Sequence, residues 1–151
     1  MPSLTPSATN GCFVCGGANA RGMYLAFEQD DEARRIRGRF QLGSDYQGAT
    51  GFIHGGVIAT LLDEVMSKAN RFRKARAVTA ELNVEYLKPV RVGEDLLVEG
   101  WETDAKGRSL FLQGEIRDAA GNLLARARGR FVDLDAARDP HADVTSDSRA
   151  G

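Results

Sequence analysis

The sequence predicts an α+β domain in which an antiparallel β-sheet wraps one long central α-helix, and three observations predict it. A single stretch, Gly55 to about Phe72, carries apolar residues at the i, i+3, i+4, i+7 spacing of one helical face. Two stretches before it and four after it are β-like, alternating apolar with polar or small residues or rich in branched and aromatic side chains. A chain of 151 residues with 42% hydrophobic content is long enough for one core and too short for two comfortable ones.

Taken in order, residues 1–10 are rich in Ser, Thr and Pro and read as a flexible N-terminal arm, residues 11–135 as the folded domain, and residues 136–151 as a flexible polar tail. Met23–Phe27 and Ile36–Leu42 alternate and form a predicted hairpin across Gln29-Asp30-Asp31-Glu32. A loop rich in glycine and polar residues, Gly43 to Gly51, leads to the helix. Strands are then expected at Val78–Leu87, Asp95–Glu102, Ser109–Ile116 and Leu123–Val132. Turns fall at Val92-Gly93-Glu94-Asp95, Asp104-Ala105-Lys106-Gly107 and Asp118-Ala119-Ala120-Gly121-Asn122.

Composition excludes several classes of function. Twenty basic residues against 21 acidic ones leave a net charge of -1, with no positive excess to hold nucleic acid or an anionic membrane. No stretch approaches the roughly 20 apolar residues of a membrane span, and the start lacks a basic region followed by an apolar run. A cytoplasmic protein is the expectation. Cys12 and Cys15 form a C-x-x-C pair, but His54 and His141 are the only histidines and neither sits in a paired ligand motif, so no metal set is expected within one chain. A redox pair should open a helix after a strand, whereas Cys15 runs into the loop Gly16-Gly17-Ala18-Asn19. A structural role is expected; zinc shared across a dimer stays open.

The helix is the informative element. Ile58, Leu61, Leu62, Val65 and Ala69 form its apolar stripe, while Gly56, Thr60, Asp63 and Ser67 make an opposite face of small residues where a solvated face would carry long charged side chains. Asp63 lies two turns beyond Gly56, about 10 Å along the same face. The start, His54-Gly55-Gly56, offers unpaired backbone N–H groups suited to polarising a carbonyl. Glu64, about 100° round the wheel, is the second candidate acid.

These residues are specific enough to carry a resemblance. Tyr46-Gln47-Gly48 followed by Ile53-His54-Gly55-Gly56-Val57-Ile58-Ala59-Thr60-Leu61-Leu62-Asp63-Glu64 closely resembles the thioesterase superfamily of hotdog proteins, in the branch like the phenylacetic-acid-pathway thioesterases. Thr79 to Pro89 looks like the family's central strand, and Cys12-Phe13-Val14-Cys15-Gly16 with Asn19 and Gly22 like an N-terminal element of some members. The resemblance spans residues 11 to 133.

It implies a hotdog fold, hydrolysis of an acyl-CoA thioester, and a homodimer or dimer of dimers whose sheets join edge to edge with sites at the interface. Gly55 N–H would point at the thioester oxygen, with Gly56 sharing that role. Asp63 would act as general base or nucleophile, Thr79 would help place the water, and His54 would orient the loop or contact the thioester. In an alternating strand Thr79 shares its face with Glu81 and Asn83, which sets Asn83 among the substrate contacts. Gln47 lies near a position where relatives carry a substrate-contacting Asn. Lys88, Arg91, Arg108, Arg128 and Arg130 are candidates for the CoA phosphates. No cofactor is required, CoA being part of the substrate. A non-catalytic acyl-CoA-binding protein and a hotdog hydratase or dehydratase are the competing readings.

Overall fold

The computed structural model describes residues 3–135; the tail expected to be flexible, with His141, lies outside them. Seven strands, β1 Ser3–Leu4, β2 Phe27–Asp30, β3 Arg35–Phe40, β4 Ala77–Tyr86, β5 Leu96–Lys106, β6 Ser109–Asp118 and β7 Leu123–Asp133, surround one long helix, α1 Gly55–Ala69. They form one sheet in the order β1-β2-β3-β5-β6-β7-β4, every neighbouring pair antiparallel. The predicted sheet wrapped on a helix is what the chain builds.

The stripe read from the sequence is the buried one. Ile58, Leu61, Leu62, Val65, Met66 and Ala69 face the core, where they meet Ile36, Val98, Leu112, Ile116 and Phe131. Each such side chain gains about 1.5–3 kcal/mol from leaving water. Helix and sheet come close at Gly100 of β5, where a Cβ would stand 2.6 Å from the Val65 carbonyl oxygen. Only a residue without a side chain lets the helix backbone settle there.

Several boundaries differ from the expectation, each for a physical reason. Of Met23–Phe27 only Phe27 is in a strand: Met23 and Leu25 donate to the carbonyls of Phe13 and Val14, and Tyr24 sits at φ 54. The alternation there is real in burial, but its partner is a loop. Ser3 and Leu4, within the segment read as an arm, pair with Glu28 and Phe27. β5 continues through an irregularity between Glu102 and Asp104 to Lys106, taking up most of the predicted turn, which tightens onto Gly107 at φ 57. The helix stops at Ala69, and its predicted last turn is a 3-10 segment, Asn70–Arg73, closed by Lys74 at φ 53.

β4 stands apart from the other long strands. It is the last strand of the sheet, paired with β7 on one side only, and it exposes Val78, Leu82 and Tyr86. An open edge with apolar side chains is a template for further pairing.

Candidate active site

The helix start is held by a clamp around one histidine. His54 N–H donates to the Tyr46 carbonyl at 2.9 Å, and Ile53 N–H to the Val90 carbonyl at 2.8 Å. The His54 ring then caps the helix, its Nδ1 accepting from Gly56 N–H at 2.8 Å. An accepting Nδ1 carries no proton, so the neutral ring holds its proton on Nε2. Gly56 N–H is therefore engaged, which corrects the reading of Gly56 as a second oxyanion donor. Gly55 N–H is left with no acceptor among the described residues. The His54 ring thus fixes the turn that leaves the Gly55 amide without an acceptor.

A second polar centre lies further along α1. Thr79 Oγ1, at the start of β4, donates to Asp63 Oδ1 at 2.7 Å, and Asp63 Oδ2 has no partner among the described residues. Both residues are accessible. The register explains how Thr79 reaches the helix. Thr79 pairs with Phe131, but Glu81 pairs with Arg130, so a bulge at Ala80 inverts the side-chain parity of the strand. Thr79 faces inward with Phe131, whereas Glu81 and Asn83 face outward with Arg130 and Arg128. The expectation that Thr79 shares a face with Glu81 and Asn83 is thereby overturned: Asn83 is on the far side of the sheet from Asp63.

The comparisons with known proteins concern this same region. A thioesterase superfamily model matches residues 50–125, which contain His54, Asp63 and Thr79. The chain belongs to the thioesterase superfamily. Mouse acyl-coenzyme A thioesterase THEM4 is 34% identical over 113 residues, 74% of this chain and 48% of that protein. The chain spans about half the length of the THEM4 relatives it matches. A crystal structure of a thioesterase superfamily protein superposes with a TM-score of 0.76 at 34% identity, covering 82% of this chain and 60% of that one. The PaaI protein of the E. coli phenylacetic acid degradation operon superposes with a TM-score of 0.63 at 17% identity over 67% of this chain and 73% of that one, and shares the fold.

Within this thioesterase domain the remaining candidates fall into separate places. Lys88 lines a groove with Phe52, Ile53, Ile58, Tyr86 and Leu87 that opens beside Gly55, and Arg91 bridges Phe52 at the same end. Arg128 and Arg130 are on the outer face of the sheet, Arg130 in an ion pair with Glu81 at 3.0 Å. Arg108 is in the β5–β6 turn with its Nε buried and unpartnered. The five cations do not make one phosphate site; Lys88 and Arg91 are the two beside the helix start. Gln47 Oε1 accepts from Gly51 N–H at 3.2 Å, bracing its own loop.

Glu64, the second candidate acid, points away from Thr79. It pairs with Lys68 at 3.7 Å and groups with Cys12 and Cys15. Burial, and then the Glu64 carboxylate, push the Cys15 thiol up to about 12, which removes it as an attacking thiolate. The sequence reading missed Tyr86, whose hydroxyl donates to the Gly55 carbonyl at 2.8 Å with its ring against the helix start. Its only sequence signal is an aromatic residue ending a strand, because the contact is made across 31 positions.

Proposed function

We propose that this thioesterase domain hydrolyses acyl-CoA thioesters to a free acid and CoA. The observation that carries the reading is the Asp63 carboxylate held by Thr79 on an open sheet edge. Thr79 uses its one proton on Asp63, which leaves its lone pairs to accept from a water, and Asp63 Oδ2 is free to take that water's proton. Water attacks the thioester carbon, the carbonyl oxygen gains charge against Gly55 N–H at the positive end of α1, and CoA leaves as its thiolate. The acyl-CoA thioesterase relatives support the substrate class.

Within one chain Gly55 and Asp63 are eight residues apart, about 12 Å along α1, too far to act on one carbonyl. The exposed edge of β4 supplies the remedy. Antiparallel pairing of β4 with its own copy about the strand's middle sets Tyr86 of one chain opposite Ala77 of the other. The Gly55 end of one helix then meets the Asp63–Thr79 pair of the second, giving a homodimer with two sites. The near-even balance of charge is compatible with a cytoplasmic location.

The test is release of free CoA from a panel of acyl-CoAs, followed with a thiol reagent. The protein should release CoA, and Asp63→Asn should lose about 10²–10⁴-fold in kcat with an unchanged circular dichroism spectrum. Full turnover in Asp63→Asn would overturn the assignment. Binding without CoA release would identify an acyl-CoA-binding protein, and water addition to an enoyl-CoA a hydratase.

A further inference from the structure

Away from Asp63 and Gly55, the fold gathers a second set of reactive side chains. Cys12 and Cys15 in the N-terminal loop and Glu64 on the flank of α1 bring their sulfur and carboxylate oxygen atoms within 4.8 Å of one another. We propose that these three residues bind one zinc ion, with water as fourth ligand, and that the ion clips the N-terminal loop onto α1 beside the thioesterase site.

The donor set is that of zinc. Thiolate sulfur binds at about 2.3 Å and carboxylate oxygen at about 2.0–2.2 Å in a tetrahedron, so donors around one ion lie roughly 3.5–4 Å apart. Side-chain rotations close the present spacing to that. Two thiolates make a soft site, which selects zinc over magnesium or calcium.

The loop is also shaped for it. Val14 N–H donates to Cys12 Sγ at 3.4 Å, an arrangement that favours a negatively charged sulfur. Asn10 Oδ1 holds Cys12 N–H at 2.9 Å, and Gly16 N–H closes the turn onto the Cys12 carbonyl at 2.9 Å. A Cβ at Gly16 would stand 2.2 Å from the Asn10 carbonyl oxygen and 2.4 Å from Cys12 N, so only glycine permits the turn that points both sulfurs at the helix.

Burial and charge agree. Cys15 is buried and Glu64 nearly so, while Cys12 is half-buried and leaves an approach for the ion and a place for water. Two thiolates and a carboxylate around a dication carry one net negative charge, and the Lys68 ammonium 3.7 Å from Glu64 offsets it. The spacing of the cysteines alone could not disclose the site, because its third donor comes from the helix.

The full chain, purified without chelator, should take up one equivalent of zinc in a titration against a chromophoric chelator, and cobalt(II) loading should give sulfur-to-metal charge-transfer absorption. Glu64→Gln keeps volume and should weaken zinc binding roughly tenfold or more, by analogy with the loss of one ligand-orienting contact. Cys12→Ser, at a partly exposed position, should abolish the cobalt spectrum while the chain stays folded. Zinc should raise the unfolding midpoint of the wild type and leave that of Cys12→Ser unmoved. Failure to bind an equivalent at micromolar free zinc would overturn the proposal. So would uptake that Cys12→Ser and Glu64→Gln leave unchanged, which would mark adventitious metal only.

Discussion

In the proposed mechanism the Asp63–Thr79 hydrogen bond concentrates the chemistry in two side chains of different kinds. A hydroxyl that gives its proton to a carboxylate has a fixed orientation, and its remaining lone pairs are aimed by that bond. Hydrogen bonds to charged groups contribute about 1.5–3 kcal/mol, so Thr79→Val should lower kcat roughly 10- to 100-fold with little change in KM. Thr79→Ser should keep most of the activity, and steady-state kinetics on the three proteins checks both. His54 predicts a different pattern. Loss of its cap in His54→Ala should cost about 0.5–2 kcal/mol in a urea titration, and the freed Gly56 amide should bring a fall in kcat because the turn presenting Gly55 loosens.

Among the elements, α1 and its seat on the sheet set the position of every candidate group. Gly100→Ala places a methyl against the Val65 carbonyl and should destabilise by about 1–3 kcal/mol in urea, as overpacking does. The helix was legible in the sequence because its stripe obeys one period over its whole length, and the four later strands because their branched and aromatic residues sit between turn residues. Thr79 as a water-placing residue came from resemblance, but its supposed companions on one face, Glu81 and Asn83, did not hold, since a bulge leaves no mark in alternation when the extra residue is a small alanine. Tyr86 against Gly55, and Glu64 against the cysteines, join residues distant in the chain. Such contacts are properties of register and docking, which no local pattern encodes.

For the whole molecule, the open β4 edge and the titrating turns make the predictions. Leu82→Glu sets a charge in the middle of that edge, facing its own copy in the proposed dimer. Size-exclusion chromatography should show a monomer, and CoA release should fall with it while secondary structure is kept. The response to acid involves two loop carboxylates. Asp118 is held below the usual carboxylate range by the Asn122 side chain and the backbone N–H groups of Asn122 and Ala120, and Asp30 by Ala33 N–H and Arg37. A depressed folded-state value stabilises the fold above the unfolded value of about 3.9, and that stability is lost as pH falls through the folded one. Asp118→Ala should therefore lower the urea midpoint at neutral pH and lose that effect progressively as pH falls below the usual carboxylate range.

The extra residue at Ala80 divides the edge strand into two independently adjustable surfaces. Upstream of it, Thr79 answers to the carboxylate on the helix; downstream, Glu81 and Glu85 answer to Arg130 and Arg126 on the opposite side of the sheet. Charge on that outer ladder can be rewritten, to change solubility or the way further copies stack, without disturbing the hydroxyl that orients Asp63. An engineer would find the two properties separable, and a one-residue deletion at Ala80 is the change that would tie them together again.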